Sequence, residues 1–212
     1  MTQTIVEKKL VQVGLYCGLV ASILFPLWSA FNLPLQLNLL LHFAFGPLIV
    51  IAFIAIQTFL KVRYDSVSNR IGTVFGAIAG VAFCCMTVVQ ASNVQWIKNQ
   101  ITNESDQSIK KELQRNLTSV FSVQLGLDIV WDIFITLATV LVSIAIFKLS
   151  KFGSFYGLLG VFVGIATLFL NLYTFPVPPR DTGLLDLGPF VGVWFFGLSI
   201  YLIIANNQQN QT

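Results

Sequence analysis

Long apolar runs separated by short polar breaks dominate the chain. Continuous stretches at about 10–31, 36–60, 71–97, 123–147, 153–175 and 184–205 carry almost no charge. A helix needs roughly 20 mostly apolar residues, rising about 1.5 Å each, to cross the hydrocarbon of a bilayer. The pattern therefore predicts an all-α, polytopic membrane protein, a bundle of six transmembrane helices. A membrane barrel would alternate apolar and polar residues in segments of about 10; these runs are unbroken and twice that length. The bundle uses nearly the whole chain, so 1–212 reads as a single transmembrane domain. Lys8 and Lys9 precede the first run as they would in a signal peptide. That run is long for a signal core, however, and Trp28 stands where a small residue is wanted, so it is expected to be a helix of the mature protein.

One extended polar stretch interrupts the pattern, KNQITNESDQSIKKELQRNLT between the third and fourth runs. From Ser105 it reads as a capped helix with Ile109, Leu113 and Leu117 on one face at i, i+4, i+8. It is expected either to lie on the membrane surface or to extend the fourth helix into water, so the connection between helices 3 and 4 is polar and partly helical.

Composition supports this reading. Hydrophobic residues make up 56% of the chain and charged residues only 10%, with a mean hydropathy of +0.80. A soluble domain carries about 25% charged residues. The basic residues set the expected orientation. Lys8, Lys9, Lys61, Arg63, Arg70, Lys148 and Lys151 fall on the face that carries both termini, and Lys98, Lys110, Lys111, Arg115 and Arg180 on the other. Seven against five, with the seven at the termini and in short connections, predicts cytoplasmic termini under the positive-inside rule. The absence of any organelle signal points to a bacterial inner membrane or a plasma membrane.

Small residues recur at the spacing that lets helix backbones approach closely in lipid. Gly14 and Gly18 stripe the first helix, Gly72, Gly76 and Gly80 the third, Gly153, Gly157, Gly160 and Gly164 the fifth, and Gly188 and Gly192 the sixth. Packing within the monomer is the expected use; a homo- or hetero-oligomer docked through one stripe is the alternative. FGAIAGVAF at 75–83 is similar to LGVFVGIATLF at 159–169, with the glycines offset by 84, which hints at two copies of one helical hairpin.

Polar residues inside the runs carry the candidate chemistry. An acid at the centre of a membrane helix costs about 2.5–3.5 kcal/mol, and such residues usually face the bundle interior. Gln124, Asp128 and Asp132 share one face of the fourth helix at i, i+4, i+8. Two acids one turn apart in a low dielectric cannot both be ionised cheaply, so a cation or a retained proton is expected with them. His42, early in the second helix, falls at a depth similar to Asp128. Gln90, Asn93 and Asn171 gather at the same side of the bundle, and Arg180 follows in FPVPPRDTG, whose prolines predict an extended, stiff connection. Asp186 comes next, at the mouth of the sixth helix. The expectation is an outward-facing polar pocket with Asp132, Asp128, His42, Asn171, Arg180, Gln90 and Asn93 as its ligand- or ion-binding groups. Each has a plainer reading. Asp128 at the headgroup level would only hydrate the helix start, Arg180 would pair with Asp181, and His42 would be a packed polar residue. Gln12, Gln57 and Asn38 read as interhelical hydrogen-bond partners. Trp28, Trp96 and Trp194 read as interface anchors, and Trp131 as a pocket or lipid-facing residue. Cys17, Cys84 and Cys85 read as buried small hydrophobes.

What the chain lacks narrows the field. With one histidine and no embedded Cys/His cluster, no metal site and no cofactor are expected. There is no His-Glu-x-x-His, Gly-x-Ser-x-Gly or phosphate loop, and the basic residues are too few and scattered for nucleic acid. With its six apolar spans, short basic turns and the glycine-striped FYGLLGVFVGIATLF, the chain resembles small bacterial multi-pass membrane proteins of unknown function. That resemblance is one of hydropathy and implies no functional residue. The expected partners are the lipid bilayer and a small molecule, cation or proton, bound or transported. A non-catalytic membrane subunit or assembly factor is the alternative. An intramembrane hydrolase is the third, and it would need two carboxylates facing one another across a substrate.

Overall fold

The computed structural model describes residues 4–30, 35–149 and 151–209. The side chains of 25–30, 35, 38, 91, 92, 151 and 209 are outside the described set, so the expectations for Trp28 and Asn38 fall there. Among the described residues there are seven α-helices: α1 (Ile5–Ala30), α2 (Leu35–Arg63), α3 (Val67–Val88), α4 (Gln95–Asn103), α5 (Gln107–Ile146), α6 (Lys151–Thr174) and α7 (Gly188–Gln209). A π-helical segment, Val89–Val94, joins α3 to α4, and a short 3-10 turn, Pro179–Thr182, precedes α7. Among the described residues there is no strand.

Five helices are long and apolar enough to cross a membrane: Leu39–Arg63, Val67–Val88, Gln107–Ile146, Phe152–Thr174 and Gly188–Gln208. The chain is thus a multi-pass, membrane-type helical protein. Six crossings were expected; the first expected run folds as α1. Large apolar side chains cover the outer surface, among them Val74, Ile78, Val81, Phe155, Phe162, Phe169, Val193 and Ile204. That distribution suits a lipid solvent, in which an apolar exterior costs nothing.

The helices close a ring. Each long helix touches the next in the order α1, α2, α3, α5, α6, α7, and α7 returns to α1. Glycines set the close approaches. A Cβ on Gly14 would strike the Ile51 carbonyl oxygen of α2 at 2.9 Å, and one on Gly18 the Ser199 hydroxyl of α7 at 2.8 Å. On α3, Gly76 lies against the Phe53 ring and Gly80 against the Gly46 carbonyl of α2. On α6, Gly157 and Gly164 lie against the Ser143 and Thr136 carbonyls of α5. Every one of these glycines meets a neighbour inside the chain.

At the end that carries the termini the ring is filled. Val11, Leu15, Phe53, Ile56, Phe59, Leu60, Val142, Ile146, Leu198 and Leu202 are buried there in one core. Trp194 belongs to it rather than to the membrane interface: it is 2% exposed, and its Nε1–H donates to the Tyr156 carbonyl at 2.9 Å. A buried indole needs such an acceptor. The α2–α3 turn is tied by Ser66, which caps α3 by accepting from the Asn69 amide, and by the Arg70–Asp65 ion pair. Asn69, wholly buried, donates from Nδ2 to the Gln57 carbonyl at 3.2 Å. It is thus the backbone of Gln57 that bonds across these two helices. Gln12 is exposed. The cysteines are free, and Cys85 lies on the outer surface, where an apolar solvent accepts it as readily as a core.

At the opposite end the polar stretch is not a loop at all. Only residues 104–106 break the helices, and α5 runs 40 residues, about 60 Å, without interruption. The polar stretch therefore extends the fourth helix, and α4 packs back on it as a helical hairpin, with Lys98 Nζ 5.6 Å from the Phe121 ring centroid. The cap is Asp106, one residue later than expected; it accepts from the Ser108 amide at 2.7 Å.

Candidate functional site

Between the hairpin end and the filled core lies a cavity of about 520 Å³ to which all six long helices contribute. It is walled by Ser22 of α1, His42, Phe45 and Ile49 of α2, Phe83 and Met86 of α3, and Gln90 of the π segment. Across from these stand Asp128, Trp131, Asp132 and Thr136 of α5, Thr167 and Asn171 of α6, and Val191 and Phe195 of α7. The loop from Phe175 to Pro179, with Asp186, covers the rest. On α1, α3, α6 and α7 these positions lie toward the hairpin end of the helix; on the longer α5 they lie just past its midpoint. Below them Phe195 meets Phe53 with ring centroids 5.3 Å apart, and the core begins.

The two acids of α5 stand on this wall, half-buried, one helical turn apart or about 6 Å along the axis. No hydrogen bond from a described group reaches either carboxyl. The Asp132 backbone carbonyl accepts from Thr136 Oγ1 at 2.6 Å, so that hydroxyl is spent on the helix and not on the carboxyl. Asp186 approaches from the α7 side, within electrostatic reach of both acids. It is held there because its Oδ1 accepts the Gly188 amide at 2.9 Å and so starts α7. Gln124 shares the acids' helix face but not the wall, and its Oε1 is buried without a partner.

Five of the seven residues expected to form a site thus share one cavity: His42, Gln90, Asp128, Asp132 and Asn171. Asn93 and Arg180 are exposed and are not among its wall residues. For Asn93 the reason is the π segment. Its i→i+5 bonding widens the turn, so positions three apart no longer share a face; both residues are exposed, but Gln90 borders the cavity and Asn93 does not. For Arg180 the reason is the 3-10 turn that Pro179–Thr182 adopts within FPVPPRDTG in place of a wholly extended connection. With three residues per turn, buried Pro179 on the cavity side leaves Arg180 pointing away. Gly183, at φ 81°, closes that turn. Among the described residues Arg180 forms no ion pair with Asp181.

The site also contains residues that polarity alone did not single out. Phe45, Phe83 and Trp131 form a three-ring wall with centroids 4.5, 5.2 and 5.7 Å apart. An apolar residue of a membrane helix reads the same whether it faces lipid or a cavity. Asp186 carried a weak signal, an acid two residues before a glycine that opens an apolar run. Among the described residues, no lysine or arginine lines the cavity. Among the described residues, no three His, Cys, Asp or Glu side chains come close enough to share a metal ion.

No family model, curated protein or solved structure matches the chain.

Proposed function

We propose that this is an integral membrane protein with six crossings and cytoplasmic termini, in a bacterial inner membrane or a plasma membrane. Its cavity opens to the outer side and binds a small molecule, cation or proton, for capture or transport. The sixth crossing is α1. At 26 residues it spans about 39 Å, it packs between α2 and α7, and it exposes the apolar stripe Val13, Tyr16, Val20 and Ile23. The surplus of basic residues at the terminal end supports the orientation. One observation carries the functional reading: the embedded acids Asp128 and Asp132 line a cavity large enough for a small organic ligand.

The test begins from a protein with Cys17, Cys84 and Cys85 replaced by alanine. In intact cells a membrane-impermeant maleimide should label Ile129→Cys, on the cavity wall, and leave Ala138→Cys, in the core, unlabelled. Labelling of Ile129→Cys only in inverted vesicles would overturn the orientation, and no labelling in either would overturn the cavity. Asp132→Asn should abolish solute or ion coupling in reconstituted vesicles while leaving the helical bundle intact.

A second reading, a non-catalytic membrane subunit or assembly factor, draws on the α4–α5 hairpin. It projects beyond the bundle and exposes Trp96 and Ile109. Purification in mild detergent as a single monomeric species would count against it.

A further inference from the structure

The walls of the cavity are chemically one-sided. Three carboxyls face it, the half-buried Asp128 and Asp132 from α5 and the exposed Asp186 before α7, and among the described residues no lysine or arginine lines it. Among the described residues, the one titratable group of opposite kind on the wall is His42. Burying carboxylates without a counter-charge is expensive, and an incoming cation repays that cost where a neutral solute cannot. Beside the acids stand the rings of Phe45, Phe83 and Trp131, mutually in contact, with Trp131 between Asp128 and Asp132 in sequence. Aromatic faces attract organic cations, indole most strongly.

We infer that the cavity binds an organic cation, an amine or quaternary ammonium on an apolar body, with the charge at Asp128, Asp132 and Asp186 and the body against Phe45, Phe83 and Trp131. The inference rests on the cavity reading above and specifies its ligand. Three features argue for this class over a bare metal ion. A metal ion needs converging donors, and no three His, Cys, Asp or Glu side chains converge here among the described residues. The volume of about 520 Å³ exceeds what an ion fills and falls in the range of small-molecule pockets. Most of the wall, including Ile49, Met86, Ile135 and Phe195, is apolar and would lie against a hydrocarbon body. Asn171 and Gln90 supply neutral polar contacts at the rim of the charged region.

The test uses the full chain in lipid nanodiscs and calorimetric titration with five probes. These are tetramethylammonium, benzyltrimethylammonium, 2-phenylethylammonium, 2-phenylethanol and calcium ion. At least one aromatic cation should bind tenfold or more tightly than 2-phenylethanol, and calcium should not compete with it. Asp132→Asn should weaken that binding by at least about thirtyfold, as losing one partner of a buried charge pair does. Trp131→Leu should weaken it about tenfold. Asp128→Asn is the second variant should Asp132→Asn unfold, judged by helical circular dichroism. Equal binding of alcohol and ammonium, displacement by calcium, or no binding of any organic cation up to about 10 mM would each overturn the inference. External labelling of Ile129→Cys separates the two claims. If it succeeds and the cations do not bind, the ligand class fails alone; if it fails, the pocket fails with it.

Discussion

Gly80 tests whether the bundle is held by backbone approach. A Cβ built there would lie 2.6 Å from Val50 Cγ2 and 2.8 Å from the Gly46 carbonyl oxygen, against 3.4 Å where ordinary contact begins. Val50 can turn, but the carbonyl belongs to α2 itself, so α2 and α3 must move apart. Overpacking of this kind costs about 1–3 kcal/mol, and an immovable backbone obstacle puts Gly80→Ala in the upper part of that range. Alanine returns about 1 kcal/mol through helix propensity. The net expectation is a loss of roughly 1–2 kcal/mol. Gly126 on α5 supplies the control, because a Cβ there meets nothing within 4 Å. Gly126→Ala should gain the propensity term alone, about 1 kcal/mol. The two variants should therefore differ by about 2–3 kcal/mol in unfolding measured by steric trapping in bilayers. Equal stabilities would refute the reasoning, since they would mean that the α2–α3 crossing is soft enough to absorb a methyl group.

Trp194→Phe removes the hydrogen bond to the Tyr156 carbonyl and leaves a gap at the crossing with Gly160. It should cost about 2–3 kcal/mol in the same assay. Asp106 caps the solvated start of α5, and hydrogen bonds from the Ser108 side chain, then from the Ser108 and Ile109 amides, hold its carboxyl below the ordinary carboxylate value. A folded-state value below the unfolded one means the cap is fully effective above the ordinary value and is lost as the pH falls through the folded one. Amide-exchange protection at Ile109–Lys111 should therefore drop between pH 7 and pH 3, and Asp106→Asn, which caps without titrating, should abolish that dependence.

Helix type and placement were legible because an apolar run of 20 or more residues has few alternatives. Gln124, Asp128 and Asp132 were legible as one face because α-helical spacing holds through that part of α5. Where the local geometry departs from the α-helix, the reading lost its phase. The π segment separated Gln90 from Asn93, and the 3-10 turn put Pro179 rather than Arg180 toward the cavity. Trp194 misled for a different reason. Tryptophan is read as a headgroup anchor by residue type, but Trp194 lies ten residues inside the expected run 184–205 and fills the space that Gly160 leaves beside α6. Phe45 and Phe83 could not be told from lipid-facing phenylalanines, because the contrast that marks a buried face in water vanishes when the solvent is itself apolar.

That same loss of contrast explains why the acids matter to the architecture. In lipid nothing drives apolar side chains inward, so a bundle keeps a polar interior only where its helices are held apart. Glycines draw α2, α3, α5 and α6 together, and Phe53, Trp194 and Leu198 fill the middle beneath the cavity. Toward the hairpin end the helices enclose about 520 Å³, with Asp128 and Asp132 on the wall. Phe195 on the wall meets Phe53 of the core, and beyond them the hydroxyls of Thr139 and Ser143 continue the polar line of α5, buried and without hydrogen-bond partners. Transport of a solute would require the ring of helices to open. The junction of α6 with α7 is its most slender seam, since α7 leans chiefly on α1 and α6 chiefly on α5. On the transport form of the proposal, Phe195 would withdraw with α7 from Phe53 to let the solute pass; on the binding form it would stay in place.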